Sequence, residues 1–362
     1  MLHKIKLSRF KGVKNGEISG FGDVNILIGP NNSGKSTILD SIYLLNHIFD
    51  PTDVLGNYIP KYITSKKAGN TNLKSLHYKY REDESAVLHP HLKTKKVGLS
   101  IGMAYNMTDW SIANSLNIKD NIQEGKIQRE YGREDYSTSY DTLFENLKRF
   151  QNNDLLEYYS HLYESVHPTF YMHSGIFQVL EQIERKVWGE LHQERKDKRV
   201  INKLNDIYDS DIDQLSYVPI EDDYEFQILF DDYAAQPGSM GDGFRYAFSL
   251  FSGIEAFSPN TVLVEEPENH QHPSAYQGIA DAIKEYAEEL DIQFFIATHS
   301  LDFLNLLIDG DIGTELEISI FHLSLIDGHL EVRNIDKPDL EVMNDLGIDP
   351  LRLKEYRGEK NE

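Results

Sequence analysis

Short apolar runs alternate with longer amphipathic segments along this chain, and the pattern predicts an α/β fold. The first fifty residues predict an antiparallel β-subdomain that leads into a helix. The predicted strands are Leu2–Phe10, Glu17–Phe21 and Val24–Ile28, and the predicted helix is Ile38–Phe49, ended by Pro51.

The middle of the chain has weaker patterns. Residues 51–139 contain many Lys, Asn, Thr and Gly residues and predict an irregular, partly β insertion with a strand at Val97–Met107. Residues 140–210 are mainly helical in pattern, with a break near Pro168. We therefore expect two insertions, of which the second is a mainly helical subdomain.

Strand and helix signals return in residues 211–335, and residues 336–362 are a predicted tail. The predicted strands are Tyr217–Ile220, Glu225–Phe230, the apolar runs that begin at Thr261 and Gln293, Ile318–Ile326 and His329–Ile335, and the predicted helices are Tyr246–Phe257 and Leu301–Ile308. The interpretation is one large domain, formed by an N-terminal lobe (1–50) and a C-terminal lobe (211–335), that carries the insertions.

Composition limits what the chain can be. Its 362 residues include no cysteine, which excludes disulfides and zinc sites built on cysteine. No apolar stretch has the length needed to cross a bilayer, and the N-terminus lacks the apolar centre of a signal peptide. We expect a cytoplasmic protein without a membrane partner.

The net charge of −23 argues against a surface that is basic all over, yet the charge is uneven. Residues 61–96 hold nine Lys or Arg and three acids, which predicts either a nucleic-acid contact or a solvated insertion with a slight basic excess. Residues 204–244 hold eleven acids and neither Lys nor Arg. This acidic segment is predicted to face solvent or a basic surface on another protein.

Residues 29–37 read Gly-Pro-Asn-Asn-Ser-Gly-Lys-Ser-Thr, a G-x-x-x-x-G-K-S phosphate loop between an apolar strand and a helix. Such a turn aims backbone N–H groups and the positive end of the helix dipole at a polyphosphate. Lys35 is predicted to reach the β- and γ-phosphates, and the Ser36 hydroxyl to bind Mg²⁺. The predicted nucleotide-binding residues of this loop are Gly29, Asn31, Asn32, Ser33, Gly34, Lys35, Ser36 and Thr37.

Two later strands end in residues suited to hydrolysis. The strand from Thr261 delivers Glu265 and Glu266 at its carboxyl end, where open α/β sheets bind ligands. Glu265 is predicted to hold Mg²⁺ through its water shell, and Glu266 to accept a proton from the attacking water. The strand from Gln293 is followed by His299, for which a purely structural role is the alternative to a chemical one.

A third segment, Gly238-Ser-Met-Gly-Asp-Gly-Phe-Arg-Tyr, precedes an apolar helical run. Its glycines and the helix N-terminus predict a second anion-binding cradle, and the alternative is a Gly-rich turn that only caps a helix. One nucleotide does not need two cradles in one protomer. Ser239, Gly241 and Gly243 are therefore predicted to cap a nucleotide held by another copy of the chain.

The order of phosphate loop, Gly-rich signature, acidic strand and strand-end histidine resembles the ATP-binding-cassette (ABC) ATPases, in particular the soluble branch with the SMC, RecF and OLD proteins. The opening Lys4-Ile-Lys-Leu-Ser-Arg-Phe-Lys-Gly and the motif Glu265-Glu-Pro-Glu-Asn-His-Gln-His-Pro are similar to those of that branch. The resemblance covers residues 1–50 and 235–335. It implies a P-loop NTPase fold of ABC-ATPase type in which His299 hydrogen-bonds the γ-phosphate and orients the water.

Some positions depart from the family pattern. The signature differs from the Leu-Ser-Gly-Gly-Gln of transporter ATPases, and Gln271 stands where a Leu is usual, which we interpret as a packing difference. The glutamine that links the nucleotide to the helical subdomain is not identified, and Gln178 and Gln227 are candidates by residue type alone. Lys11 lies where related proteins contact the base or ribose, and an edge strand with a basic rim is the alternative.

The resemblance implies a Mg²⁺-dependent ATPase that closes head to tail around ATP, as a homodimer or a higher even-numbered oligomer. The preference for ATP over GTP rests on the resemblance alone. The 63 residues after His299 predict no Toprim nuclease of the kind found in OLD proteins, and Asp309 and Asp311 are interpreted as a loop. A separate effector, such as a nuclease or toxin, is therefore implied.

Stand-alone ATPases of this kind are commonly paired with such effectors in anti-phage systems, so the resemblance implies a role in defence or in DNA maintenance. Direct contact with nucleic acid is a further expectation. The alternative is an ATPase subunit docked on a membrane transporter.

Overall fold

The computed structural model of this chain describes a set of residue ranges separated by gaps. These ranges are 1–47, 50, 52–66, 73–81, 86–92, 100–108, 111–119, 124–131, 160–161, 163–173, 180–193, 195–220, 223–309 and 316–353. The candidates Gln178 and Asp311 lie outside the described residues.

The strands form one large mixed sheet and one small sheet. Within the described residues they are β1 (Leu2–Phe10), β2 (Val13–Ser19), β3 (Val24–Ile28), β4 (Ala86–Leu92), β5 (Ser100–Thr108), β6 (Ser111–Lys119), β7 (Glu124–Tyr131), β8 (Thr169–Met172), β9 (Ile212–Ile220), β10 (Asp223–Phe230), β11 (Ala234–Ala235), β12 (Thr261–Glu265), β13 (Gln293–Ala297), β14 (Ile318–Ile326) and β15 (His329–Ile335). The large sheet has the order β7-β6-β5-β4-β1-β2-β15-β14-β3-β13-β12-β8, and the small one has the order β11-β10-β9.

The helices pack on the faces of the large sheet. Within the described residues they are α1 (Lys35–Asn46), α2 (Ile59–Ser65), α3 (Leu180–Gln193), α4 (Asp197–Tyr208), α5 (Asp242–Phe257), α6 (Pro273–Leu290), α7 (Leu301–Ile308) and α8 (Lys337–Asp345).

The part of the large sheet that runs from β14 to β8 is parallel. Leu27 of β3 pairs with Ala297 of β13, and Ala297 pairs with Glu265 of β12. Because parallel strands share their carboxyl edge, the phosphate loop, the Glu265–Glu266 segment and the His299 loop all begin at one edge of the sheet. The predicted α/β class is confirmed.

Apolar layers cover both faces of the parallel strands, as their continuous burial requires. Successive residues of a strand point to opposite faces. Ile26 and Ile28 of β3 therefore join a core with α3, α4, α5 and α6, whereas Leu27 joins a second core with α1.

The N-terminal β-subdomain is antiparallel, as predicted. The prediction of a strand over Glu17–Phe21 was wrong in its bounds, because β2 spans Val13–Ser19. The polar stretch Lys14-Asn-Gly conceals the start of this strand in the sequence. Backbone pairing with β1 decides it, since strand propensity depends on neighbouring strands.

The segment 51–139 is more regular than its pattern predicts. It contains α2, and β4 to β7 extend the large sheet beyond β1. The strand predicted at Val97–Met107 is β5. Pro90 weakens the strand signal of β4 in the sequence. β4 nevertheless pairs with β5 through residues 86–88, which do not include the proline, so its missing N–H is not needed there.

Two helices, α1 and α5, begin at earlier residues than their apolar patterns predict. α1 begins at Lys35 instead of Ile38, and α5 begins at Asp242 instead of Tyr246. Each begins directly after a glycine of an expected anion cradle. Lys35-Ser-Thr starts α1 without an apolar residue, and in the first turn of α5 only Phe244 is apolar and reaches the core, so neither turn shows an apolar period.

The predicted helical segment 140–210 also contains a strand, β8, which pairs in parallel with β12. Four buried residues are too few for a period to separate a strand from a buried helical turn. In the second lobe, α7, β14 and β15 match their predicted bounds. The domain boundaries themselves stay a prediction.

The acidic segment 204–244 forms the end of α4 and the whole of the small sheet. Asp211, Asp213, Asp231 and Asp232 are exposed. This agrees with the expectation that the segment faces solvent, and a basic partner for it stays a prediction.

Candidate nucleotide-binding site

The phosphate loop joins β3 to α1 through backbone turns that glycine permits. Gly29 has φ 131° and Gly34 has φ 103°. A Cβ at Gly29 would lie 2.4 Å from the backbone oxygen of Leu323, so the loop packs directly against β14. α1 begins without a side-chain cap and without an acid in its first turn. Its first N–H groups therefore suit an anionic ligand.

Lys35 folds back over this loop. Its Nζ donates to the carbonyl oxygens of Gly29 at 2.8 Å and Pro30 at 3.0 Å, and it lies 3.5 Å from the Ser33 hydroxyl. The ammonium is thus held against oxygens of the loop itself, and its contact with the β- and γ-phosphates stays a prediction.

Carboxylates from the β12 edge act on this ammonium. Burial lowers the pKa of Lys35 to about 8, although the charges of Glu266, Glu265 and Glu268 raise it. The structure therefore brings Lys35 and the two predicted acids to one edge of the sheet.

Glu265 and Glu266 leave β12 in different settings. Glu265 is buried, and its Oε1 accepts a hydrogen bond from the Tyr171 hydroxyl at 2.9 Å. Glu266 has a left-handed backbone with φ 51°, and its N–H donates to the carbonyl oxygen of Ala297 at 2.7 Å. This conformation costs about 1 kcal/mol in a non-glycine residue, so the turn holds Glu266 in place against a conformational preference.

His299 follows β13 and faces Glu266, with 3.6 Å between His299 Nε2 and Glu266 Oε1. Burial and the Lys35 charge lower the pKa of His299, while the Glu266 carboxylate raises it. A neutral imidazole has one N–H that can donate to a phosphate oxygen and one bare nitrogen that can accept from a water. The pairing of β12 with β13 produces this contact.

Sequence reasoning assigned no role to Glu268. Its Oε1 accepts hydrogen bonds from the Thr298 hydroxyl at 2.7 Å and from the His299 N–H at 2.9 Å. Burial raises the pKa of Glu268 in spite of these bonds. Glu268 thus anchors the loop that carries His299, and its place in the Glu-Glu-Pro-Glu motif was the available signal.

A buried ion cluster behind Glu265 was also missed. Lys66 Nζ, just after α2, lies 2.5 Å from Asp40 Oδ1 of α1 and 3.6 Å from Glu265 Oε1. It also lies 3.9 Å from the centroid of the Tyr171 ring, and the Tyr171 hydroxyl lies 3.3 Å from Asp40. The side chains of Lys66 and Asp40 are 6% and 1% exposed, so the charges must compensate one another inside the protein.

Lys11, predicted to contact the base or ribose, forms an ion pair with Asp40. Burial raises the pKa of Asp40, but the charges of Lys11 and Lys66 outweigh burial and lower it to about 2. The signal for this cluster was an acid on the apolar face of α1, between Leu39 and Ser41. A nucleotide contact by Lys11 stays a prediction.

The Gly-rich signature is exposed at its start, whereas its end at Gly243 is fixed by hydrogen bonds. Ser239 and Gly241 are exposed, and no described atom lies within 4 Å of a Cβ built at Gly241. The carbonyl oxygen of Gly243 accepts hydrogen bonds from Gln271 Nε2 at 2.8 Å and from the Tyr208 hydroxyl at 3.0 Å. Gln271 therefore replaces the usual Leu with a polar link between the segment after β12 and the signature helix.

The linking glutamine is not identified among the described residues. Gln227 lies in β10 of the small sheet, paired with Ser216. The position beside Glu265 is held by His173, which follows β8 and contacts the Tyr62 hydroxyl at 2.8 Å. Burial, assisted by the Lys66 charge, lowers the pKa of His173 to about 4, so this histidine is neutral at pH 7.

The arrangement fits a nucleoside triphosphate with Mg²⁺. The glycine turns and the uncapped start of α1 suit phosphate oxygens, and the Ser36 hydroxyl and Glu265 carboxylate are the hard oxygen ligands that Mg²⁺ prefers. In the part of the chain that the structure describes, no group of three or more His, Asp and Glu residues could hold a metal by itself. Few protein ligands, completed by phosphates, are typical of Mg²⁺.

Comparisons with known proteins agree with this geometry. Residues 117–305 match the family described as AAA domain, putative AbiEii toxin, type IV TA system. The chain is 22% identical over 338 residues to an ATP/GTP phosphatase of Helicobacter pylori, across 85% of this chain and 87% of that protein. It is 27% identical over 106 residues to the DNA replication and repair protein RecF of Erwinia tasmaniensis, across 29% of this chain and 24% of that protein.

The fold is also similar to that of a solved SMC head bound to the C-winged helix domain of ScpA. The TM-score is 0.55 at 15% sequence identity, and the match covers 94% of this chain and 99% of the other. This likeness confirms the predicted fold of ABC-ATPase type.

Proposed function

Since the chain belongs to the AAA domain family described as putative AbiEii toxin, type IV TA system, we propose that it hydrolyses ATP to drive a conformational switch. The observation that carries the proposal is the meeting of Lys35, Glu266 and His299 at the edge where the phosphate loop begins. The ATP/GTP phosphatase named above supports the same chemistry.

Each residue has a distinct task in this proposal. The loop N–H groups and Lys35 bind the β- and γ-phosphates. Glu266 accepts the proton of the attacking water, with its Oε2 oriented by a hydrogen bond from Asn269. His299 binds the γ-phosphate and orients the water. Ser36 and Glu265 would hold Mg²⁺, which would compensate the phosphate charge.

Two copies are proposed to close head to tail around ATP. The support is the exposed signature, since Ser239 and Gly241 lead into α5 without a side-chain cap. The first N–H groups of α5 are proposed to face the γ-phosphate of a nucleotide in a second copy, although Asp242 places a carboxylate in this first turn. ATP that contacts both copies binds the closed state more tightly than the open state, and hydrolysis removes that preference.

Glu266→Gln tests hydrolysis and closure together. The variant should bind ATP as wild type does, lose phosphate release by a factor on the order of 10² or more, and accumulate as a dimer with ATP and Mg²⁺. Light scattering measures the mass, and Lys35→Ala should remain a monomer because it lacks the phosphate contact. An ATP-loaded Glu266→Gln monomer contradicts the dimer, and unchanged phosphate release contradicts the role of Glu266.

The closed state is proposed to control a separately encoded effector, such as a nuclease or toxin, in anti-phage defence. The toxin–antitoxin description of the family supports this role. Mass spectrometry of proteins that co-purify with the chain, expressed with its native neighbouring genes, is the test. An ATP-dependent toxin or nuclease partner is the expected result, whereas recovery of DNA alone points to DNA maintenance.

Direct nucleic-acid binding stays a prediction. Of the basic residues between positions 61 and 96, Lys66 is used inside the buried cluster, while Lys61 and Lys79 are exposed. Among the described residues, no helix combines the length and apolar character needed to cross a membrane. None of the relatives named above is a transporter ATPase, so the transporter alternative is not carried forward, and a cytoplasmic location is part of the proposal.

A further inference from the structure

A basic pocket lies at the opposite edge of the sheet from the phosphate loop. Its volume is about 430 Å³, and it is lined by Arg195, Lys196, Lys198 and Arg199 together with the carboxyl ends of α5 and α6. α6 begins after the Glu265–Glu266 segment at the carboxyl edge of the strands and ends just before β13. Its end therefore marks the amino edge, away from the nucleotide site.

Four cations converge on this pocket in a chain of net charge −23. Arg199 is held in place by Glu255, at 3.4 Å, and by Glu289. Lys196 Nζ donates to the Ser258 hydroxyl at 3.2 Å. Arg195 and Lys198 are exposed and have no ion-pair partner within the described residues. The pocket therefore has fixed cations in its wall and available cations at its rim.

One acid, Glu255, also lines the pocket, and it is only 3% exposed. Burial raises the pKa of Glu255, against the neighbouring charge of Arg199. Glu255 Oε1 lies 3.4 Å from Arg199 Nε and has no hydrogen-bond partner within the described residues, so it can accept one from a ligand's N–H or O–H group. A long phosphate backbone would meet this acid as well as the cations, so the pocket suits a short anion with a polar body.

We propose that this pocket binds a small phosphate ester, with the phosphate on the rim cations and a hydrogen-bond donor of its body on Glu255. The volume is in the range of small-molecule sites. Lysine and arginine are the side chains that bind phosphates most strongly.

The ligand also biases the signature loop, because two helices join the pocket to it. α4 begins at Asp197 beside the pocket and ends at Tyr208, whose hydroxyl donates to Gly243. α5 begins at Asp242 in the signature and ends beside Ser258. At 1.5 Å per residue the helices are roughly 18 and 24 Å long, so a shift at one end moves the other. The functional consequence of this coupling rests on the proposed closure around ATP, whereas binding does not.

Binding is tested on the full chain carrying Lys35→Ala, which removes phosphate-loop binding. Pyrophosphate and AMP are titrated by calorimetry into this protein and into a version with Arg195→Glu and Lys198→Glu. Binding should weaken roughly tenfold or more, since two charged contacts are reversed. The matched control carries Arg333→Glu and Lys337→Glu, two exposed cations elsewhere with the same charge change, and it should bind as the parent does.

Three results overturn the site. One is the absence of pyrophosphate and AMP binding at millimolar concentration, and another is equal weakening in the control. The third is a set of results that assigns the surface to nucleic acid: a 20-nucleotide single strand binds tightly, the pocket variant loses that binding, and pyrophosphate does not bind.

Coupling is tested separately by hydrogen exchange in the same Lys35→Ala protein. Pyrophosphate should slow amide exchange at residues 195–202 and also at 241–246, and the pocket variant should show neither change. Slower exchange confined to 195–202 overturns the coupling and leaves the site standing. Because no ATP is hydrolysed in either experiment, failure here is distinguishable from failure of the proposed ATPase function.

Discussion

Two charged side chains of the nucleotide-binding site, Asp40 and Lys66, lie where water is excluded. Asp40 and Lys66 are almost fully buried, and each is stable there because the other is ionised beside it. Lys66 also lies near Glu265, and Tyr171 contacts both acids. The cluster thereby connects α1, α2 and β8 to the carboxylate predicted to hold Mg²⁺.

Lys66→Met should lower the free energy of unfolding by roughly 3 kcal/mol, because Asp40 keeps only the partly exposed Lys11 as a cationic partner, beside the Tyr171 hydroxyl. Urea unfolding measures the change. Lys61→Met, at an exposed position of α2, is the control and should change stability by less than about 0.5 kcal/mol. Equal losses in the two variants would show that the buried ion cluster contributes no stability.

At the level of elements, the signature separates into an exposed start and a packed first turn. Gly243 packs against the segment after β12, where an added Cβ would lie 2.6 Å from the backbone oxygen of His270 and 2.8 Å from Gln271 Oε1. Gly241 has an ordinary extended backbone with φ −61°, and nothing described lies near its Cβ position. The two glycines therefore distinguish packing within the chain from contact between chains.

Gly241→Ala should leave stability within about 0.5 kcal/mol of wild type but weaken ATP-driven dimer formation in the Glu266→Gln background. The expected reason is that the added methyl group meets the nucleotide of the second copy. Gly243→Ala should instead destabilise the chain by about 1–3 kcal/mol, because backbone atoms must move. Thermal unfolding and light scattering on both variants separate these effects, and a Gly241→Ala variant that dimerises normally contradicts the placement of Gly241 at the interface.

For the whole molecule, the net charge of −23 opposes the closure of two copies. ATP adds further negative charge between them. Closure must therefore be driven by local contacts at the two nucleotides, against a repulsion that acts over the screening length.

The dimer of Glu266→Gln with ATP should become tighter as NaCl rises from about 10 to 150 mM, since the Debye length falls from roughly 30 to 8 Å. Sedimentation velocity at several salt concentrations measures the dissociation constant. Binding of a nucleic acid shows the opposite trend, because salt competes with phosphate contacts. A dimer that weakens steadily over this range contradicts a closure limited by net charge.

Much of the fold and part of the site could be predicted because their signals are local. The phosphate loop needs a strand, a glycine turn and a helix start within a short stretch, and the acids and His299 each follow an apolar strand directly. The parallel sheet then brings their ends to one edge. β2, β4 and β8 were misjudged because partner strands, and not their own patterns, place them in the sheet.

The sequence by itself therefore determined the α/β class and the candidate residues Lys35, Glu265, Glu266 and His299, because spacing within one strand–turn unit sets their chemistry. Tertiary structure alone decided the pairing of Lys66 with Asp40, the link from Gln271 to Gly243 and the basic pocket at the far edge. These contacts join residues far apart in the chain. Their energies depend on burial and on distances between charges, which no local pattern of residues encodes.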